Sequence, residues 1–497
     1  MKPQYRALTT PKKDDTKTIL IIGVVILFLQ LAFHLTVGAK SVERRSSLNK
    51  DSLNYQLSLQ LNNAEIIKQL NFPNTVKRFY DQSKMETNWL RSEENSGPTV
   101  MAMLLLDCVK QYGLQPQNYH PKVLTYEKMH SLFNANPQLS AIQKIEFELM
   151  LTDAMISVIN NLHYGAFNPT LHRSTIDNGV KSGLWADVFL HNATNSLNLR
   201  ETILTVQPKI EQYKQLQGYM KLIMGQYTCD SYETPEQEIR TIAINMERLR
   251  WISMENSSYL HVNIPSFKLT YYTPLKTTEY KVVVGKASTP TPTLVSVVSY
   301  LETAPDWRIP NKIFINEMLP RAQKNLTYFE NNHMAVYDQQ EIFVQINAQT
   351  IAKIKQNSTK YHARQTAGCD NALGKVVFRF SNTHDIYLHD TPEQQYFNQN
   401  KRAVSHGCIR VSNAEQLAAI LLQNDGQENR TIDLKKAMST YSKQKFALKT
   451  PLPIIITYLT ITVEDGLLAK HADIYLQDKV LESKMYKAEQ LTSTTIK

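Results

Sequence analysis

The hydrophobic pattern of this chain changes its period once, close to Trp251, and that change limits the folds open to it. Upstream, Ile145, Leu149, Thr152, Ile156 and Ile159 share one helical face, and Gly165 and Pro169 supply the stop. Ile239, Ile242, Ala243, Met246 and Leu249 form a second stripe. Pro73 suits a first helical turn ahead of Val76, Phe79 and Tyr80. Downstream, the runs 259–267, 280–284, 376–380, 386–388 and 453–463 are short and rich in Val, Ile, Tyr and Phe. Gly, Pro, Asn and Asp punctuate them, as strands and turns require. A chain of 497 residues exceeds one compact domain. The expectation is an α+β multidomain protein, with an all-α domain over 64–251 and a mostly-β domain over 252–478. The polar stretch 311–364 reads as an insertion, 40–63 as a linker, 479–497 as a polar tail, and Ala414, Leu417, Ala418, Leu421 and Leu422 predict a helix.

The N-terminus adds a compartment. Between Lys17 and Lys40 lie 22 consecutive residues without Asp, Glu, Lys or Arg. That length matches the roughly 30 Å hydrocarbon core of a bilayer. Lys2, Arg6, Lys12, Lys13 and Lys17 against Asp14 and Asp15 make 1–17 a basic tail that stays in the cytosol. The expectation for 18–39 is therefore an N-terminal membrane helix; a cleaved signal peptide is the alternative, because Val37-Gly38-Ala39 resembles a cleavage site. Either way the rest of the chain faces the outside of a membrane. Cys108, Cys229, Cys369 and Cys408 are too few for a disulfide scaffold, which leaves room for a reactive thiol. The net charge of +10 suits an anionic membrane, wall polymer or nucleic acid. The chain has no Gly-rich phosphate loop and no Arg stripe interleaved with aromatics, so nothing favours nucleic acid.

The reactive thiol is placed at Cys408, in Ser405-His406-Gly407-Cys408-Ile409-Arg410. A cysteine attacks as thiolate and needs a base or positive potential nearby. Gly407 lets the backbone approach a substrate, so the N–H groups of Gly407 and Cys408 are the expected oxyanion donors. The helix after Cys408 is expected to bring its N-terminal dipole to the sulfur. His406 and His389 are both candidate bases; His389, at the end of a strand-like run, is preferred. Arg410 suits a substrate carboxylate. Taken singly, each has a plainer role: a packed thiol, a core or surface histidine, an arginine paired to a local carboxylate. A zinc site from His389, His406, Cys408 and Asp390 is a further alternative, though structural zinc sites usually show tighter spacings.

Ser405 to Arg410, preceded by Tyr387-Leu388-His389-Asp390-Thr391-Pro392, resembles the active-site signature of the L,D-transpeptidases (the YkuD-type catalytic domain). Val262-Asn263-Ile264-Pro265, Val284-Gly285-Lys286, Thr291-Pro292, Trp307-Arg308-Ile309-Pro310, Asn371-Ala372-Leu373-Gly374, the segment 245–251 and Asp473-Ile474-Tyr475 are similar to the large Gram-negative branch of that family. Phe79-Tyr80, Tyr112-Gly113-Leu114 and Leu151-Thr152-Asp153-Ala154 resemble its helical scaffold domain more loosely. The resemblance implies a periplasmic acyltransferase anchored by its N-terminal helix and acting on peptidoglycan tetrapeptide stems. Cys408 would be the nucleophile and His389 the base, the histidine oriented by a backbone carbonyl. Tyr387, Ser405, His406 and Arg410 would line the substrate, with 311–364 as a capping subdomain. It implies 3–3 cross-links made through a thioester, acylation by carbapenem β-lactams, and no metal or organic cofactor. Water as acceptor (an endopeptidase or carboxypeptidase), a lipoprotein lysine as acceptor, or a non-catalytic wall scaffold are the alternatives. A separate peptidoglycan-binding module is not expected, since only a short stretch near 225–238 separates the halves. Cys369 departs from the family pattern, and a reversible pairing with Cys408 is the speculative reading of it.

Overall fold

The computed structural model describes residues 51–90, 96–133, 139–225 and 236–487. The predicted membrane segment 18–39, with its basic tail and residues 40–50 of its linker, lies outside the described residues, as does Cys229; the rest of the expected linker is not a tether, because 51–60 form a helix that buries Leu57. Among the described residues no helix is long and apolar enough to cross a membrane. The chain forms two compact units. One takes the residues up to Asp107 with Pro116–Ile159 and Arg173–Ile203; the other takes Cys108–Gln115, Asn160–His172 and everything from Leu204 onward.

The first unit is helical. Pro73 opens the helix Pro73–Gln82, which buries Val76, Phe79 and Tyr80 as the spacing predicts. The helix Ala141–Tyr164 buries Ile145, Leu149, Thr152, Ile156 and Ile159. Phe147, Glu148, Met150, Asp153 and Met155 are equally buried, so this helix is enclosed all round and not along one stripe. Buried carboxylates need partners. Glu148 accepts the backbone N–H groups of Asn88, Trp89 and Leu90 and the Tyr80 hydroxyl. Asp153 accepts those of Asn71 and Phe72 and meets His120 Nε2 at 2.5 Å.

The second unit is built on strands β1 (Tyr259–Asn263), β2 (Lys268–Tyr272), β3 (Thr277–Gly285), β4 (Leu294–Thr303), β5 (Trp307–Arg308), β6 (Met334–Asp338), β7 (Tyr361–Gln365), β8 (Val376–Phe380), β9 (Leu388–His389), β10 (Ala403–Ser405), β11 (Ile409–Val411), β12 (Gln444–Thr457), β13 (Ile461–Glu464) and β14 (Leu467–Lys470). The main sheet runs β10-β3-β11-β9-β8-β4-β12-β1-β2, and β2 also pairs with β3. That pairing closes eight strands into a ring, which removes exposed sheet edges. Leu260, Val262, Val282, Val284, Phe378, Leu388, Ile409, Ile454 and Ile456 belong to its core, with Leu417 and Leu421 of the helix Ala414–Asn424.

Two features differ from a simple split at Trp251. The helix Glu236–Arg250 packs with the strands: Ile242, Met246 and Leu249 share a buried cluster with Ile455, Leu459 and Ile461. Asn245 fixes the contact by accepting the Thr460 N–H and donating to the Thr460 hydroxyl. Second, β5, β7 and β6 form their own three-stranded sheet, in that order. With the helices Leu319–Lys324 and Ala348–Gln356 they enclose Phe314, Leu319, Phe329, Val336, Ile351, Ile354 and Ala363. The insertion is thus a subdomain with a core of its own.

Candidate active site

Strand register brings the candidate residues together. β11 lies parallel to β9, with Ile409 opposite Leu388 and Arg410 opposite His389. Leu388 and Ile409 are fully buried in the core. Because side chains alternate along a strand, Tyr387, His389, Cys408 and Arg410 fall together on the other face. The Ile409 N–H donates to the Tyr387 carbonyl at 3.1 Å, which extends the pairing to Cys408 beside Tyr387. β8 runs antiparallel on the far side of β9, with Val377 opposite His389, so Arg379 reaches Tyr387. Its guanidinium sits 4.7 Å from the Tyr387 ring centroid.

His389 is 5% exposed, and its Nδ1 meets the Asp390 carbonyl oxygen at 2.6 Å. That bond fixes the tautomer that leaves Nε2 as proton acceptor. Burial, reinforced by the charges of Arg410 and Arg379, lowers the imidazole to about 3, so it is neutral at pH 7. Asp390 itself is tied down: its carboxylate accepts the Lys375 N–H at 2.9 Å and its own N–H donates to Val376. Gly374, at φ +63, makes this possible, because a Cβ there would land on the Asp390 carboxylate. The Asn371-Ala-Leu-Gly374 motif therefore aims the carbonyl that orients the His389 ring.

Cys408 is a free thiol, as are Cys108 and Cys369. Burial pushes the Cys408 thiol up; hydrogen bonds from the Tyr387 backbone and side chain, and the Arg379 charge, pull the other way without overcoming it. The expectation of a thiolate held by a helix dipole is corrected here. β11 follows Cys408, and the helix begins only at Ala414. The resting pair is neutral thiol beside neutral imidazole, and among the described residues no hydrogen bond joins the two.

The nucleophile loop is held from behind. Ser405 Oγ donates to the Cys408 carbonyl at 2.6 Å and accepts the Gly407 N–H at 3.1 Å. Ser405, expected at the substrate, thus has its hydroxyl engaged within the loop. The Gly407 N–H is likewise engaged, which leaves the Cys408 N–H as the donor of that pair without a bond among the described residues. Gly407, at φ +121, takes a backbone shape that a side chain resists. Thr291 donates its hydroxyl to the Gly407 carbonyl at 2.8 Å and accepts the Gly285 N–H at 2.9 Å. Tyr475 accepts the Thr291 N–H and donates to the Gly285 carbonyl, while Tyr458 links Tyr475 to Asp473. Thr291 and the Asp473-Ile-Tyr475 motif are visible in the sequence, but only the coordinates reveal them as the brace behind the nucleophile.

Arg410 is paired to Glu393 at 2.6 Å and lies 5.1 Å from the Tyr396 ring centroid. His406 Nε2 meets Glu317 of the insertion at 2.7 Å, and Lys286 stands 3.8 Å from the same oxygen. Trp307, at the start of the insertion, lies beside the Tyr387 side chain. Neither Glu317 nor Trp307 was singled out by sequence as part of the site. Among the described residues no three His, Cys, Asp or Glu side chains gather as a metal site, which removes the zinc alternative. Cys369 is exposed and not bridged to Cys408. It lines a cleft of about 590 Å3 with Lys375, Asp390, Thr391 and Glu415.

Strand register thus sets a buried, carbonyl-oriented histidine and a reduced cysteine on one face of a closed β-sheet. Residues 257–438 match the L,D-transpeptidase catalytic domain, and residues 74–220 match a scaffold domain. The chain thus carries an L,D-transpeptidase catalytic domain and a scaffold domain, in an α+β arrangement. It is 33% identical over 243 residues to a Haemophilus influenzae protein named "putative L,D-transpeptidase". The matched segment covers 48% of this chain and 48% of that one, so the chain spans about half the length of this curated relative. Among solved structures, an Enterococcus faecium L,D-transpeptidase (a cysteine-to-serine mutant) is 12% identical, with a TM-score of 0.19 over 41% of this chain and 50% of its own. Mycobacterium tuberculosis L,D-transpeptidase 1 is 13% identical, with a TM-score of 0.16 over 40% of this chain and 61% of its own.

Proposed function

We propose that the protein is an L,D-transpeptidase that forms 3–3 cross-links between peptidoglycan stem peptides. Support comes from the pairing of a free Cys408 with a neutral His389 whose Nδ1 is held by the Asp390 carbonyl. A neutral imidazole is the form that takes a proton. In the proposed reaction the thiol proton passes to His389 Nε2 as sulfur attacks the carbonyl joining the diamino acid to the terminal D-Ala of a tetrapeptide. The Cys408 N–H steadies the oxyanion. Collapse breaks the amide C–N bond, and the imidazolium returns its proton to the departing D-Ala amine. The side-chain amine of a second stem then attacks the thioester, forms the new amide and releases the thiol. Arg410 would leave Glu393 to meet a stem carboxylate. Residues 18–39 would anchor the enzyme on the periplasmic side of the inner membrane, and the +10 net charge would favour an anionic envelope.

The test has two arms. Intact-mass measurement after carbapenem exposure should show one adduct on the wild type and none on Cys408→Ala; an adduct that persists in the variant refutes the nucleophile. Incubation with sacculi should yield 3–3 dimers. Shortened monomers alone would assign the acceptor to water, and lipoprotein-bearing fragments would assign it to a protein lysine.

A further inference from the structure

Two contacts join the insertion to the catalytic face. Trp307 lies beside the Tyr387 side chain, and Tyr387 neighbours Cys408 across the β9–β11 pairing. Glu317 reaches the nucleophile loop itself, meeting His406, two residues before Cys408, at 2.7 Å and Lys286 at 3.8 Å. Lys286 belongs to the same framework, since its N–H donates to the Ser405 carbonyl at 2.9 Å. Glu317 thus grips two segments already fastened to each other.

How Glu317 comes to point there is local. It lies on a π-helical turn, Phe314–Met318, between the short helix Asn311–Ile313 and the helix Leu319–Lys324. Phe314 and Met318 of that turn are buried in the insertion's own core. A π turn widens the helix and re-aims its side chains, and such turns occur frequently at functional sites. The Glu317 carboxyl is held below its ordinary value; some burial opposes this, but the His406 hydrogen bond and the charges of His406, Lys286 and Arg321 prevail. All three latch side chains remain 34–40% exposed. Ion pairs in such settings contribute little, so the contact makes and breaks readily.

We infer that Glu317 is a positioning residue: through His406 it fastens the insertion to the nucleophile loop and thereby sets the partition of the acyl-enzyme between amine and water. The inference rests on the transpeptidase reading for its consequence, but not for its mechanical content. With the contact made, the subdomain shields the thioester and the loop holds its shape. With it broken, stems enter and leave. Water and amine compete for one thioester, so a loosened cover favours water, the smaller and far more abundant nucleophile.

The experiment compares wild type, Glu317→Ala, Glu317→Gln and Glu330→Gln, the last removing a charge elsewhere on the same subdomain. Amide hydrogen exchange over residues 405–409 reads the loop; muropeptide products read the partition. Glu317→Ala should speed exchange there several-fold and lower the ratio of cross-linked to hydrolysed product about tenfold. Its carbapenem acylation rate should fall by less than the product ratio does, because a small acyl donor needs the loop but not the closed subdomain. Glu317→Gln, which keeps a hydrogen-bond acceptor, should restore part of both effects, and Glu330→Gln should match wild type. Unchanged exchange, or an unchanged product ratio in an enzyme that cross-links, overturns the inference. Faster loop exchange in a protein whose wild type neither acylates nor cross-links would leave the positioning intact and sink the transpeptidase reading instead.

Discussion

At the residue scale the neutral pair is the point on which reactivity turns. Burial raises the Cys408 thiol and lowers His389, and both shifts disfavour a resting ion pair. Iodoacetamide should therefore alkylate Cys408 slowly at pH 7, with a rate that keeps climbing beyond the ordinary thiol range. A plateau below pH 7 would show a thiolate already formed and contradict this account. Buried neutral histidines also tie stability to acid. His261, fully enclosed with its Nε2 2.8 Å from the Thr457 hydroxyl, is likewise lowered from 6.5 to about 3. Between those values the folded imidazole binds fewer protons than the unfolded one, so stability rises with pH across the window and is lost as pH falls from 6.5 towards 3. His261→Gln should flatten that part of the curve, read as urea midpoints at pH 7 and pH 4.5. A slope equal to wild type would mean that other groups carry it. The sequence disclosed Cys408 and His389 because their motifs are short and local. Arg410 and Ser405 were expected at the substrate, but their partners, Glu393 and the Cys408 carbonyl, are set by folding and cannot be read from spacing.

Secondary-structure elements supply the next level, because the nucleophile sits in a bend whose shape is imposed from neighbouring strands. Thr291 bonds to Gly407, and Tyr475 holds Thr291 through its N–H. Thr291→Val keeps the volume and removes both hydroxyl bonds, to Gly407 and from Gly285, at a cost of about 1–3 kcal/mol. Carbapenem acylation should fall roughly five- to tenfold; an unaltered rate would show the loop to be rigid without this brace. Gly374→Ala should act through the base. It forces a side chain into a left-handed backbone and onto Asp390, and about 1–3 kcal/mol of stability should go with the activity. Gly466→Ala, also at positive φ but with nothing within 4 Å, serves as the control and should spare activity. Composition revealed the strands that are short unbroken runs of Val and aromatic residues, such as β8 over 376–380, which is buried along almost its whole length. It did not reveal β4 or the first half of β12. β4 sets exposed Val295, Val297 and Ser299 between half-buried and buried residues, and β12 carries Pro451 inside, and Pro453 just past, a register shift between Ala447 and Leu452. Pairing, and not intrinsic propensity, makes those segments strands.

For the whole molecule, the consequence lies in where the catalytic unit begins. The change of period at Trp251 invites a boundary there, yet the helix Glu236–Arg250 buries Ile242, Ala243, Met246 and Leu249 together with Tyr259, Ile455, Leu459 and Ile461. A boundary read from periodicity marks a change of element type, whereas a folding boundary follows shared core. Burying one such side chain contributes about 1.5–3 kcal/mol, and whole domains hold only about 5–15 kcal/mol in reserve. Exposing Ile455, Leu459 and Ile461 together therefore consumes most of that margin. The Thr460 bonds to Asn245 and the Arg248–Asp478 pair would be lost as well. A fragment starting at Ile252 should be insoluble or melt far below the full chain, even though it holds every residue from 257 to 438 that matches the catalytic domain. A fragment starting at Leu204 should fold and take a carbapenem on Cys408, at a lower melting temperature, since it lacks Cys108–Gln115 and Asn160–His172 of the same unit. Within the full chain, Met246→Ala should cost about 2–5 kcal/mol and lower the thermal midpoint without changing the acylation rate per folded molecule. If the fragment from Ile252 proved as stable as the one from Leu204, that helix would not belong to the catalytic core.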